Sequence, residues 1–487
     1  MAVRLQGGWL GGSIGFCMRH VDLCVIGSGP GGQKAAIQAA KLGKSVCVVE
    51  KMDVVGGVAI NTGTIPSKAL REAVMAVTGV RILMPRVEEA LSGPNRLGEL
   101  MGACNRVIAA EVALVRGHFL SNGIDVVNGH GSFIDANTVQ ADGPRGVETI
   151  YAEHVVIAVG TVPSKPAGVP FNRDDVITSD DVLGMSQLPK SMIVVGGGVI
   201  GTEYASMLAM LGVRMTIVEG RSRLLDFIDA EIGEALQYQL RKSGCTLRLG
   251  EKVATIKLVD APAGSRASDG RMVEALLESG KSITADCLLY CVGRQGSTAG
   301  LNLAAAGLDT DNRGRIVVNG EYQTKVPNIY AVGDVIGFPA LASTSMEQGR
   351  IAAMHMFGRS HEGYLDLVPY GIYSVPEISM VGWTEERLTA EGVPFESGVA
   401  HYREIARGQL LGDTTGMLKL LVHQESHAIL GVHAIGTNAT ELVHIGQAVM
   451  AFKGTVEYFV NTVFNYPTLA ECYKVAAMNA LNKLPSL

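Results

Sequence analysis

The sequence spells out the same short unit twice. Each copy has an apolar run, a glycine-rich turn, an alanine-rich or apolar helix pattern, a second apolar run and a closing acid. In the first copy, Asp22-Leu23-Cys24-Val25-Ile26 reads as a buried parallel strand, and Gly27-Ser28-Gly29-Pro30-Gly31-Gly32 follows at once. A helix pattern covers Gln33 to Leu42 and stops at Gly43; Ser45 to Val49 is a second strand, closed by Glu50. In the second copy, Ser191 to Val195 leads into Gly196-Gly197-Gly198-Val199-Ile200-Gly201. Thr202 to Leu211 is its helix, stopped by Gly212, and Arg214 to Val218 is its strand, closed by Glu219. A lone G-x-G-x-x-G carries little weight, whereas strand, glycines, helix, strand and acid in this order form a dinucleotide-binding fingerprint. Gly27, Gly29 and Gly32, like Gly196, Gly198 and Gly201, let the backbone approach a pyrophosphate at a helix N-terminus, whose free N–H groups favour anions. Each acid lies 23 residues past the first glycine of its unit, where a carboxylate accepts a ribose hydroxyl. The plain alternative is a glycine-rich turn with no ligand. Two units 169 residues apart imply two dinucleotides, and a chain that holds both is expected to move hydride between them.

The second acid carries more information than the first. Glu219 suits the free 2′-hydroxyl of NAD, yet Arg221 and Arg223 follow it, and arginine accepts the 2′-phosphate of NADP. Solvated loop charge is the competing reading of the two arginines. Both features together would serve either nicotinamide.

Composition fits this reading and removes several others. At ~100–200 residues per domain, 487 residues imply about three domains, and glycine, 60 of them, is well above its usual ~7% share. The net charge of −6 comes without a long basic block, which argues against nucleic-acid binding. No apolar run approaches the ~18–20 residues a bilayer requires, so no membrane span is expected. The eight cysteines are scattered, with no C-x-x-C and no metal-ligand spacing, which predicts a reducing, cytoplasmic setting and no metal. Residues 1–20 stand apart: they lack acids, and Met18 is an alternative start. A transit peptide there would instead send the chain to the mitochondrial matrix.

Three further segments carry a family resemblance. Residues 56–68, Gly-Gly-Val-Ala-Ile-Asn-Thr-Gly-Thr-Ile-Pro-Ser-Lys, resemble the redox motif of the pyridine nucleotide–disulfide oxidoreductases, which include dihydrolipoamide dehydrogenase and glutathione reductase. Val156-Ile157-Ala158-Val159-Gly160-Thr161-Val162-Pro163 and Ile329-Tyr330-Ala331-Val332-Gly333-Asp334 are similar to other family motifs, and the resemblance spans about residues 20–485. It implies an α/β fold: two Rossmann-like dinucleotide-binding domains, for FAD and NAD(P), plus a C-terminal α+β dimerisation domain. The FAD domain is expected over 20–165 and 287–363, the NAD(P) domain over 166–286 and the interface domain over 364–487. The implied assembly is a homodimer or a larger oligomer.

The departures from the family matter as much. Its redox motif carries two cysteines in C-x-x-x-x-C; here those positions are Ala59 and Thr64, which form neither thiolate nor disulfide. Its histidine base before Pro-Thr is replaced by Tyr466 in Asn465-Tyr466-Pro467-Thr468, and a phenol of pKa ~10 is a poor base at neutral pH. Disulfide reduction by the family route is therefore excluded. Hydride exchange needs neither group, only positioning and a field that stabilises a reduced flavin's negative charge. Gly63 to Arg71, Phe464 to Thr468 and Tyr373-Ser374-Val375-Pro376-Glu377 resemble the FAD-dependent transhydrogenase branch, which exchanges hydride between NADPH and NAD+. A quinone or dye reductase and a non-catalytic dinucleotide sensor are the rival readings.

The resemblance also implies site residues. Lys68 and Glu203 would pair beside flavin N5, and Tyr466 would cover the nicotinamide side of a partner's flavin. FAD would be held by Gly27, Gly29, Gly32, Glu50, Lys51, Gly57, Thr64, Lys68, Gly160 and Asp334, with Leu341 and Ala342 opening a helix toward its N1 and O2. NAD(P) would be held by Gly196, Gly198, Gly201, Glu203, Glu219, Arg221, Arg223 and Gly293. His433, in a strand pattern, and His444, in a helix pattern, read as structural. Met417 to Val422 reads as an antiparallel strand of the interface domain, and 260–270 as a hairpin loop.

Overall fold

The computed structural model describes residues 18–83, 96–261, 270–360 and 367–484. Residues 1–17, most of the segment set apart above, and 262–269, the body of the expected hairpin loop, lie outside these. The described residues form two compact units, each made of separated stretches of chain.

The first unit comprises residues 18–61, 109–162 and 294–360. Its sheet runs Asp125–Asn128, Val46–Glu50, Arg19–Ile26, Gly146–Ile157, Thr138–Gly143 and His130–Phe133, with Ile329–Ala331 parallel beside Gly146–Ile157. The strands of the first fingerprint pair in parallel, Val25 opposite Val48, and both are largely buried. Near-continuous Val and Ile is what a parallel strand covered on both faces requires. The fingerprint helix spans Pro30–Lys41, so it takes in the last two glycines instead of starting after them. Proline at the first helical position suits that early start. It lies against the helix Ala342–Met356, where a Cβ on Gly349 would sit 2.1 Å from the Gly31 carbonyl oxygen. Only glycine lets those two backbones approach so closely.

The second unit comprises residues 62–83, 96–108, 163–261, 270–293 and 367–484. It contains the second fingerprint in a parallel sheet ordered Thr246–Leu249, Arg214–Glu219, Ser191–Val195, Cys287–Tyr290, Val176–Thr178. Here too the helix, Val199–Met210, begins inside the glycine run. Strands Val253–Asp260 and Arg271–Leu277 pair antiparallel, Asp260 opposite Arg271. Residues 367–484 add an antiparallel sheet ordered Tyr370–Ile372, Ile378–Gly382, Ile429–Ile435, Met417–His423, Phe395–His401. The helices Ala439–Ala451 and Glu471–Leu481 bury Val443, Cys472, Tyr473 and Ala476 in the same core as Leu418 and Leu420. Residues 62–83 and 96–108, expected in the first domain, fall in this unit: Leu70, Val74, Leu100 and Cys104 share a core with Tyr204 and Leu208.

Candidate dinucleotide sites

In the first unit the strand Arg19–Ile26 ends at Gly27, whose φ of +104° and a notional Cβ 2.5 Å from the Ala158 carbonyl oxygen both demand glycine. The helix that follows is capped by Gly29 with no side-chain hydrogen bond, so no side chain competes for its first N–H groups. A Cβ on Gly29 would meet only the Ala158 oxygen, 3.9 Å away, whereas one on Gly57 would meet Gly29 Cα at 2.8 Å. Glu50 is buried, and its carboxylate accepts from the Ser28 amide at 2.9 Å, the Ser28 hydroxyl, and the Met52 amide at 2.9 Å. A carboxylate has about four acceptor directions, so one remains for a ribose hydroxyl.

The same unit also brings together residues distant in sequence. Arg294 Nε donates to Thr161 Oγ1 at 2.7 Å, and that hydroxyl donates to Asp334 Oδ2 at 3.3 Å. Burial pushes the Asp334 carboxyl up, against the opposing pull of Arg294 and the Thr161 bond. Gly333 donates its amide to Gln348 Oε1 at 2.7 Å. Leu341 caps the helix Ala342–Met356, again with no side-chain hydrogen bond. Gly160 lies beside Thr161 with φ +64°, and Lys51 reaches Ser297 Oγ at 3.2 Å. An uncapped helix start, a carboxylate with one acceptor position left, and a half-buried Asp334 fit a nucleotide pyrophosphate, its ribose and a polyhydroxyl chain.

The second unit repeats the cradle with one difference. Gly198 caps its helix without a side-chain bond, and a Cβ there would meet nothing within 4 Å. Gly293 follows the neighbouring strand Cys287–Tyr290 at φ +80°. Glu219, however, is fully engaged. It accepts from the Gly197 amide at 2.7 Å, the Arg221 amide at 2.9 Å, Arg221 Nε at 3.0 Å and Arg221 Nη2 at 2.9 Å. Burial pushes this carboxyl up, but those four donors outweigh it and hold it below the usual range. Arg221 also pairs with Asp226, and Arg223 pairs with Glu386 at 3.3 Å. The two arginines are thus neither bare solvated charges nor an open phosphate cradle.

Lys68, on the helix Thr64–Leu83, and Glu203, on the second fingerprint helix, form an ion pair at 2.9 Å within the second unit. Glu203 is buried, Lys68 lies over the Tyr373 ring at 4.8 Å, and the Tyr373 amide donates to Glu203 at 2.8 Å. Behind them Arg71 Nε donates to the Ser374 carbonyl, and Arg71 pairs with buried Glu377 at 3.2 Å. Thr64 opens the lysine's helix, and Ala59 sits in the short helix Gly57–Asn61 of the first unit. Tyr466 is 75% exposed. Among the described residues no disulfide joins the cysteines, which apart from Cys291 are buried; burial pushes the Cys47 and Cys287 thiols up to about 12. Among the described residues no group of His, Cys, Asp and Glu is arranged to hold a metal. His433 is buried and bonded to the Trp383 carbonyl, while His444 meets Gln447.

The pyridine nucleotide-disulphide oxidoreductase pattern matches residues 21–349, and the dimerisation domain of the same family matches residues 368–477. The chain belongs to that family. A soluble pyridine nucleotide transhydrogenase of Mycobacterium bovis is 51% identical over 477 residues, 96% of this chain and 99% of that protein. One from a Marinomonas species is 44% identical over 472 residues, with 96% and 99% covered. Among solved structures, LpdA from Mycobacterium tuberculosis superposes with a TM-score of 0.83 at 25% identity, covering 95% of this chain and 99% of that one. The HOCl-induced flavoprotein disulfide reductase RclA of Escherichia coli gives 0.82 at 26% identity, covering 94% and 99%. The two-Rossmann α/β architecture with an α+β C-terminal domain is therefore that of the family. Among the described residues no helix is long and apolar enough to cross a membrane.

Sequence reasoning passed over Ser28, Arg71, Thr161, Arg294, Tyr373 and Glu386 as contact makers. Ser28 sits inside the glycine motif, so its pairing with the closing acid was open to a reading of that motif's geometry. Arg71, Thr161 and Tyr373 fall within segments that carry the resemblance, but like Arg294 and Glu386 they lie far from their partners in the chain, and no local pattern names those partners.

Proposed function

We infer that the chain is an FAD-dependent pyridine nucleotide transhydrogenase that moves hydride between NADPH and NAD+ without a redox disulfide. The observation that carries this is two intact dinucleotide cradles in a chain whose redox-motif positions are Ala59 and Thr64. Near-full-length relatives bearing the transhydrogenase name support it. FAD, when bound, supplies a two-electron centre that takes hydride at N5 and returns it. The residues of the chain bind and orient. The helix start at Gly29 and the free acceptor direction of Glu50 would hold the FAD pyrophosphate and ribose, and Asp334 would take a hydroxyl of its ribityl chain. The helix Ala342–Met356 starts without a side-chain cap, so by the family resemblance its positive dipole end would favour the negative charge of the reduced flavin. On the family resemblance, Lys68, held by Glu203 and Tyr373, would supply a positive charge to a bound flavin. Gly198 and Glu219 receive NAD(H) and NADP(H) in turn, Arg221 leaving Glu219 to meet a 2′-phosphate.

The dimerisation domain supports a homodimer, for which the exposed Val463 and Tyr466 offer apolar contact surface. Buried cysteines that form no disulfide among the described residues support a reducing, cytoplasmic setting. The test mixes purified flavoprotein with NADPH and an NAD analogue whose reduced form absorbs at a distinct wavelength, and then with quinones. Reduction of the analogue is expected. Transfer to quinones alone would overturn the reading, and inertness to both would make the chain a sensor.

A further inference from the structure

If one cradle receives both nicotinamides, as proposed above, something must govern the exchange between a 2′-hydroxyl and a 2′-phosphate there. The loop after Glu219 carries two cations, Arg221 and Arg223, and each is already countered. Arg221 faces Glu219 and Asp226, both in the nucleotide-binding segment. Arg223 is countered from elsewhere. Its guanidinium donates to the Asp226 carbonyl at 2.8 Å and meets Glu386 Oε1 at 3.3 Å. Glu386 belongs to the helix Glu385–Ala390, inside the residues matched by the dimerisation domain. The same Glu386 oxygen accepts the Ala230 amide at 2.9 Å, at the start of the helix Ala230–Lys242 that closes the loop. Its neighbour Glu385 is anchored by Lys419, 1% exposed, at 2.8 Å. Glu386 thus reaches the nucleotide loop from a fixed base, while its pair with Arg223 is only part-buried, at 30% and 42% side-chain exposure. Such a pair is weak enough to exchange partners. A 2′-phosphate offers doubly charged, bidentate acceptors that an arginine prefers to one carboxylate oxygen at 3.3 Å.

We propose that Glu386 is a positioning residue for nucleotide choice: by holding Arg223 it sets how readily the cradle accepts a 2′-phosphate in place of a free 2′-hydroxyl. The inference rests on assigning the second cradle to NAD(P). It gives the C-terminal domain a hand in selecting the substrate, beyond joining subunits. With Arg221 alone answering the phosphate in the resting site, both nucleotides bind moderately and each can leave for the other, as alternation at one cradle requires.

Glu386→Gln removes the charge and keeps a side-chain oxygen for the Ala230 amide, so the helix start is retained. The probes are adenosine 2′,5′-bisphosphate and 5′-AMP, titrated calorimetrically into the FAD-loaded protein, which reads binding without turnover. Glu386→Gln is expected to tighten the bisphosphate about fivefold, the scale of one half-exposed ion pair, and to leave 5′-AMP unchanged. The gain should vanish in the double variant Glu386→Gln/Arg223→Ala, which a merely structural role for Glu386 would not produce. An equal shift for both probes, no shift, or a gain that survives removal of Arg223 would overturn the proposal alone. Failure of both probes to bind the unaltered protein would overturn it together with the assignment of the cradle.

Discussion

Glu50 and Glu219 occupy the same place in their two units, yet only Glu50 keeps an acceptor direction open. The difference is Arg221, which covers both oxygens of Glu219. A ribose hydroxyl can reach Glu219 only when that side chain turns away, and a 2′-phosphate gives it somewhere to go. Arg221→Met is therefore expected to raise the KM for NADPH about tenfold or more, the scale of a charge-assisted hydrogen bond, and to leave that for NADH unchanged or lower, because Glu219 is freed for the ribose hydroxyl. Equal changes in both, measured by steady-state kinetics, would contradict the account. At Lys68 the expectation concerns rate. Lys68→Met should retain FAD yet slow its reduction by NADPH about 10²–10³-fold in stopped flow, the usual cost of removing a preorganised charge. A rate within threefold of the parent would make the lysine structural. The glycines and closing acids were legible from spacing alone. The Lys68–Glu203 contact, across 135 residues, was reachable only through resemblance, because nothing in either local pattern points to the other.

At the scale of elements, the two glycines of one turn do different jobs. A Cβ on Gly201 would sit 2.1 Å from the Gly196 carbonyl oxygen, while one on Gly198 would enter open space. Gly201→Ala should destabilise the fold, seen as a lower melting temperature. Gly198→Ala should fold and bind FAD normally but raise KM for both nucleotides, because its methyl takes the space above the helix start. The reverse pattern would refute the cradle. The strand Met417–His423 shows where pattern reading stops. Its alternation correctly marked an antiparallel strand, but Lys419, which looks solvent-facing in that pattern, is 1% exposed. Asp229, Glu231 and Glu385 meet it at 2.9, 2.9 and 2.8 Å, and these partners come from two distant helix starts. Lys419→Met would strand buried Asp229 and is expected to cost about 3–5 kcal/mol in denaturant unfolding. Burial lowers the lysine's affinity for its proton, but the carboxylates overcompensate and raise it. That contribution is present below the unfolded value of ~10.4 and is lost only at higher pH. Asp229 is pushed up by burial and pulled down further by His433 and Lys419, so it ends below its ordinary value. Its contribution is present above ~3.9 and fades as pH falls through the lowered native value. A stability curve flat from pH 7 to 9 and steeper in acid for the parent than for Asp229→Asn is the expected result. Parallel acid limbs would contradict it.

For the molecule as a whole, two repeats of one motif made the two dinucleotide-binding halves legible, since strand, turn, helix and acid are local in sequence, whereas the C-terminal domain was reachable only through the family resemblance. What stayed hidden was the company kept by Leu70, Val74, Leu100 and Cys104, which share a core with Tyr204 and Leu208 far along the chain. The same limit hid Glu386 behind a domain boundary. Function follows from what the whole chain keeps and what it has lost: both cradles remain, and the sulfur relay does not. The central claim is that one flavin per chain is the only electron store. Anaerobic titration of the FAD-loaded protein with NADPH, followed by NAD+, tests it directly. The account predicts two electrons taken up per FAD and full return to NAD+, unchanged after thiol alkylation. Uptake of four electrons per FAD, or loss of transfer on alkylation, would contradict it.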